Sequence, residues 1–420
     1  MIRRQFLLGT GIAAVLVAGA AGTIAQAAGH GELCPIESGR ISVLGNEFPA
    51  IQAVVARAAE CAGEGVEFSS NLTTEHKNIQ VPALSAQNSE YTSAIVANSS
   101  IVPLVNDDLI RPLDDLIEKW APDLPQGQRI QIGGKTMAIA FMANAQHLYY
   151  REDILSEAGI EAPGTYEEVL EAAKMISEKG LAKTPYVQNS KTGWNLAEEF
   201  VNMYLGYGGE FFEAGTANPA INNEQGVKAL ETLKALNAYA GPDFLTYDSN
   251  ATDALWTSGD VAMMTAWGSR ATSILGGDNP DVVAATKVAA APTVGGGSTP
   301  ASTLWWDGFT IAKNISDEDA EATFRALVHG TDPGVLEGNE DKAVWLVEGY
   351  EPTPASAGVS GTAAGGAKPY PMLPYMAAMH TALGDELSDY LLGNESAEQA
   401  LSDVEDAYRT AAREQGFLTE

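Results

Sequence analysis

Short β-branched runs alternate with helical stripes along nearly the whole chain, and this alternation restricts its fold more than any other feature. Ile41 to Leu44 reads as a strand. In the stretch from Pro49 to Ala62 the residues Ile51, Val54, Val55, Ala58 and Ala59 recur at the helical period. Val66 to Phe68 and Ala94 to Val96 read as further strands, as do Thr136 to Ala140 and His147 to Tyr150. A helix is expected from Leu109 to Trp120. The helix from Thr165 to Lys179 carries its own punctuation. Thr165 is the N-cap, Glu168 closes a capping box, and Gly180 stops the helix. The second half keeps the rhythm, with strands at Val261 to Thr265, Lys287 to Ala291 and Phe309 to Ala312. Its helices run from Asn223 to Ala240, Asp317 to His329, Thr381 to Leu392 and Ala397 to Gln415. Residues 351–374, rich in Gly, Pro, Ser and Ala, read as a connection. Strands separated by helices pair into parallel sheets, so the fold class expected is α/β. At roughly 150 residues per domain, the length suggests about two to three domains.

Charge and cysteine content narrow the partners. Asp and Glu number 55 against 24 Lys and Arg, for a net charge of -31. Such a surface repels phosphates, which argues against nucleic acid and against anionic membranes as partners. Two cysteines exclude a disulfide-dense scaffold and a four-cysteine metal site, and no metal or cofactor is expected.

The N-terminus reads as an export signal over residues 1–27. Arg3 and Arg4 begin it, Phe6 to Ala21 is apolar, and Ala25-Gln26-Ala27 is a small-x-small cleavage site. Arg3-Arg4-Gln5-Phe6-Leu7 also fits a twin-arginine motif, and general secretion stays open beside it. In an oxidising compartment Cys34 and Cys61 are expected to pair. Gly31-Glu32-Leu33 precedes Cys34 and puts a charge where a lipoprotein box needs small apolar residues, so no lipid anchor is expected.

Catalytic signatures are sparse. None of the five histidines pairs with another on one helical face, and no nucleophile elbow is present. Gly133-Gly134-Lys135-Thr136 imitates the end of a phosphate loop, but Arg129 stands where the leading glycine belongs, and a hairpin turn is expected instead. A glycosidase carboxylate pair could hide among so many acids, so a secreted carbohydrate-active hydrolase stays as the alternative reading.

Several phrases resemble bacterial solute-binding proteins of ABC importers. Leu148-Tyr149-Tyr150-Arg151-Glu152-Asp153 is similar to the segment that opens the family's second lobe. Ala158-Gly159 through Pro163 to Thr165-Tyr166-Glu167-Glu168-Val169 follows it as it does there. Gly208-Gly209-Glu210-Phe211-Phe212, Leu255 to Trp267, and Leu392-Gly393-Asn394 to Ala400-Leu401 then fit in order. The likeness is to the carbohydrate-binding, maltose-binding-protein-like group. The family's Pro-Asp-Val phrase is absent near Tyr91 to Val96, and the Cys34 and Cys61 pair is not a general family feature.

The resemblance implies a two-lobe periplasmic-binding-protein fold of type II with a ligand cleft between the lobes. Residues 28–141 with about 292–348 would form lobe 1, and 142–291 with about 349–420 lobe 2. It implies a periplasmic monomer, not an enzyme, that captures a small-molecule carbohydrate (sugar, oligosaccharide or polyol) and delivers it to the membrane permease. Polar and aromatic residues just after strands supply the candidate contacts, because open α/β sheets place ligands there. Asn46 and Glu47 follow the first strand and either cap a helix or meet ligand. Asn98 and Ser99 offer the same choice, and Glu75 is a contact or a solvated carboxylate. Asn144 and Gln146 match the crossover between lobes and, two apart, would share one face. Trp194 is expected on a loop as a stacking platform, with Trp267, Trp305 and Trp306 as further candidates. Adjacent side chains on a strand point oppositely, so at most one of Trp305 and Trp306 faces the cleft. Asp307, Arg270 and His380 complete the set.

Overall fold

The computed structural model describes residues 33–419, so the expected export signal lies outside the described residues. Two sheets organise the chain. The larger has eight strands, with the order β11-β5-β10-β3-β1-β2 and with β4 and β12 attached to β5 and β10. Its strands are β1 (Gly39–Gly45), β2 (Val66–Leu72), β3 (Ser93–Ala97), β4 (Arg129–Ile132) and β5 (Lys135–Asn144). The smaller sheet has β6 (Gln146–Arg151), β7 (Thr184–Val187), β8 (Val261–Trp267) and β9 (Thr286–Ala289), in the order β7-β8-β6-β9. The chain then returns to the large sheet with β10 (Thr303–Phe309), β11 (Val344–Trp345) and β12 (Lys368–Pro369). The pair β1–β2 runs parallel, as strands joined by a helix do, and so does β1–β3. The passage from one sheet to the other takes a single residue, Ala145, between β5 and β6.

Local signals explain most element ends. Thr165 accepts from Glu168 N, Glu168 returns the bond, and Gly180 closes the helix Tyr166–Lys179 in the left-handed conformation. Gly133 and Gly134 both have positive φ in the turn between β4 and β5, the hairpin read from sequence. The core divides in the same way as the sheets. One apolar cluster packs β1 and β10 against the helices Pro49–Ala59 and Asp317–Gly330. The largest gathers the helices Trp194–Gly206, Met376–Leu392 and Ala397–Glu414 around part of the small sheet, and Trp267 and Trp305 join it.

Several sequence readings are corrected. The helix expected from Leu109 starts only at Asp114, since Pro112 disfavours a helical conformation for the residue before it. The strand expected at Phe309 to Ala312 instead spans Thr303–Phe309. Residues 351–374 are not all connection, because Ala357–Ala364 is helical. Two helices, His76–Ser85 and Asn98–Asn106, carry internal prolines (Pro82 and Pro103) that hide them from sequence. The expected pairing of Cys34 with Cys61, by contrast, is present as a disulfide.

Candidate functional site

The helix Trp194–Gly206 sets one wall of the site. Gly193, at φ 94, precedes it in a conformation that favours glycine. Trp194 is therefore the first residue of a helix and not part of a loop, which corrects the sequence reading. It is half-buried, whereas every residue from Leu196 to Gly206 is buried. Two adjacent carboxylates, Glu198 and Glu199, lie on this buried helix.

Three indoles meet above it. The ring centres of Trp194 and Trp305 are 5.6 Å apart, Trp194 and Trp267 6.2 Å, and Trp267 and Trp305 5.8 Å. Trp305 is on β10 of the large sheet and Trp267 ends β8 of the small one, so the cluster spans both sheets. Trp306 packs instead with an apolar cluster of the large sheet, as strand alternation requires. His380 lies 5.0 Å from the Trp194 ring, donates from Nε2 to the Trp194 carbonyl at 3.0 Å, and accepts at Nδ1 from the Tyr370 hydroxyl at 2.8 Å. Burial and the charge of Lys77 push its pKa down to about 3, so its ring is neutral.

Glu198 binds this wall to β10. Its Oε1 accepts from Thr303 Oγ1 at 2.6 Å and from Trp305 Nε1 at 3.1 Å, while the buried Oε2 has no partner among the described residues. Burial pushes the Glu198 carboxyl up to about 8. Glu199 is pushed to about 8 by burial and accepts from Gln146 Nε2 at 2.9 Å. Asp307, on β10, is raised to about 7 by burial, which the charge of Lys77 partly opposes. Lys77, in the first turn of His76–Ser85, holds its Nζ 3.7 Å from the Trp194 ring centre. Burial lowers it to about 8, and Glu198 and Asp307 act against that fall.

The remaining candidates have other partners. Asn98 is buried and fixes β10, accepting from Trp306 N at 2.9 Å and donating to the Leu304 carbonyl at 3.3 Å. The Ser99 hydroxyl is buried with no partner among the described residues. Asn144 donates to Ser269 Oγ and accepts from Ser269 N, both at 3.1 Å, whereas Gln146 reaches Glu199; the two bond to different elements. Arg270 pairs locally with Asp253 at 3.5 Å and donates to Asn250 at 3.0 Å. Asn46 does not cap the following helix and, among the described residues, accepts from Glu47 N at 2.8 Å, with Glu47 exposed. Glu75 is exposed and accepts from Asn78 at 2.9 Å. Sequence reasoning missed Lys77, Glu198, Thr303 and Tyr370. An adjacent carboxylate pair inside an apolar helix was a readable signal for Glu198; Lys77 had none.

Comparison with known proteins places this geometry. The family described as "Bacterial extracellular solute-binding protein" matches residues 45–328, more than half of the chain. A probable ABC transporter-binding protein of Deinococcus radiodurans is 27% identical over 259 residues, which are 57% of this chain and 60% of that protein. Among solved structures, the maltose-bound MalE3 of T. maritima matches with a TM-score of 0.76 at 18% identity, over 89% of this chain and all of that one. A solute-binding protein of Agrobacterium radiobacter K84 in complex with ribitol matches with a TM-score of 0.76 at 18% identity, over 90% and 100%. One from Agrobacterium vitis S4 with bound D-mannitol has a TM-score of 0.72 at 18% identity, over 90% and 99%. These likenesses show the two-lobe fold.

Proposed function

We infer that this chain, which belongs to the bacterial extracellular solute-binding proteins, captures a carbohydrate between its two lobes and hands it to the permease of an ABC importer. The observation that carries this reading is the cluster of Trp194, Trp267 and Trp305 beside the unpartnered Oε2 of Glu198. A sugar or polyol has apolar C–H groups that lie on an indole face, and its hydroxyls both donate and accept. Glu198 and Asp307 offer partners to such hydroxyls, and Asn144, Gln146 and His380 hold the surrounding frame. The ligands of the structural neighbours, maltose, ribitol and D-mannitol, support the same chemistry.

The proposed lobes are residues 28–141 with about 292–348, and 142–291 with about 349–420, joined where the chain passes from β5 to β6. Ligand that touches both would favour the closed arrangement. The proposed setting is the periplasm, with the protein a monomer free of a lipid anchor and without catalytic activity. A thermal-shift panel of sugars and polyols tests the reading. A true ligand at about 100 times its Kd stabilises by ~2.7 kcal/mol and is recovered unchanged by chromatography. Release of a smaller sugar would instead favour a hydrolase.

A further inference from the structure

The ammonium of Lys77 rests on the face of Trp194, 3.7 Å from its ring centre and 6.0 Å from that of Trp305. It makes no hydrogen bond or ion pair with any described residue. The charges that act on it are those of Glu198 and Asp307. Lys77 is half-buried and sits in the first turn of its helix on a flexible four-carbon stem. Aromatic faces flanked by carboxylates form the arrangement that recognises ammonium groups, because the ring quadrupole and the acids both attract a cation. Lys77 thus covers, from within the chain, the ring face on which a sugar would stack.

We propose that the cleft takes a polyhydroxylated ligand bearing an ammonium, an aminated sugar or polyol, whose ammonium replaces that of Lys77 over Trp194. The inference rests on the carbohydrate reading and adds the charge of the ligand to it. An anionic ligand would be repelled by Glu198 and Asp307 in their ionised forms and would bring no cation to replace Lys77. A neutral ligand would either find the Trp194 face covered or, once Lys77 swung out, leave two carboxylates without a cation. An aminated ligand restores the charge that Lys77 removes when it leaves. Burial raises both acids, Glu198 to about 8 and Asp307 to about 7, and the charge of Lys77 opposes the rise in each, so a cation over Trp194 favours their ionised forms. Lys77 can leave because it breaks no hydrogen bond in doing so.

Two measurements test this. The first is calorimetric titration of the wild type and of Lys77→Met with matched pairs, glucosamine against glucose and glucamine against glucitol, in a buffer where the amines are charged. The aminated member of a pair should bind at least about tenfold tighter, and Lys77→Met should bind it tighter still because the internal competitor is gone. The second is thermal stability of Lys77→Ala with propylammonium or propanol. Propylammonium should restore the melting temperature and propanol should not. Equal or tighter binding of the neutral members overturns the ammonium preference and leaves the carbohydrate reading intact. Equal rescue by propanol removes the ammonium site. Rescue by propylammonium with no binding by any pair overturns the aminated-carbohydrate ligand and leaves only a site for ammonium, while the sugar and polyol panel alone decides the carbohydrate reading.

Discussion

Trp305 donates its indole N–H to Oε1 of Glu198 at 3.1 Å, a bond that joins the large sheet to the helix Trp194–Gly206. Both residues are buried, and the same N–H also reaches Thr303 Oγ1 at 2.7 Å, so the two bonds together fix the angle of the Trp305 ring within the aromatic cluster. Glu198→Ala takes one acceptor from both donors, but Trp305 Nε1 keeps Thr303 Oγ1 at 2.7 Å and Thr303 keeps Asn202 Oδ1 at 2.8 Å, so the cost is that of the two lost bonds, ~1–3 kcal/mol together. Glu198→Gln keeps a carbonyl acceptor in place and should lose much less. Urea unfolding of both variants checks this, and equal losses would show that the acceptor does not matter.

Trp194→Ala should weaken ligand binding by ~2–4 kcal/mol, the range of a buried aromatic anchor. Its ring also packs against Trp267, Trp305 and His380, so folding stability should fall by ~1–3 kcal/mol as well. Titration calorimetry and denaturation measured on the same preparation separate the two effects. Unchanged affinity in the folded variant would remove Trp194 from the site.

Stability should fall as pH rises from 6.5 towards 8. Glu198 and Glu199 have folded values of about 8, above the ordinary 4.5, because burial disfavours their charged forms. Their stabilising effect is complete below 4.5 and is lost as pH climbs to about 8, since the unfolded chain releases these protons first. His147 acts in the opposite sense, lowered by burial from 6.5 to about 4, so its contribution is lost only as pH falls below 6.5. Above that point the acids govern, with a slope of at most about 1.4 kcal/mol per pH unit for each group. Melting temperatures across this window should decline, and Glu199→Gln should flatten the decline. A wild-type profile already flat would contradict it.

Reduction of the Cys34–Cys61 disulfide opens a loop with a sequence separation of 27. The chain-entropy argument puts the loss at ~3–4 kcal/mol. Calorimetry with and without dithiothreitol should show a lower melting temperature in reductant. Mass spectrometry of the exported protein should find the oxidised form, and two free thiols would contradict it.

The fold was legible wherever side chains act locally. The capping box at Thr165 and Glu168, the helix stop at Gly180 and the turn at Gly133 and Gly134 need only neighbours in sequence. Hidden were elements that tertiary packing forces against local preference, above all the helices around Pro82 and Pro103. The site was half legible. Tryptophans announce themselves, and strand alternation said that at most one of Trp305 and Trp306 faces the cleft without saying which. Lys77 gave no sign, because its place over Trp194 depends on two segments more than a hundred residues apart. Trp194 itself was misread, since a polar stretch after glycine looks like a loop until the helix behind it is packed.

A crystal structure grown with the ligand found in the thermal-shift panel tests the central claim most directly. The account predicts a carbohydrate between the two sheets, with a sugar face or carbon chain against at least one of Trp194, Trp267 and Trp305. Its polar atoms should lie within hydrogen-bond reach of Glu198 Oε2 and of a group from the large sheet, Asp307 or Asn98. A ligand bound elsewhere on the surface, with the three indoles packed as they are without it, would contradict the account.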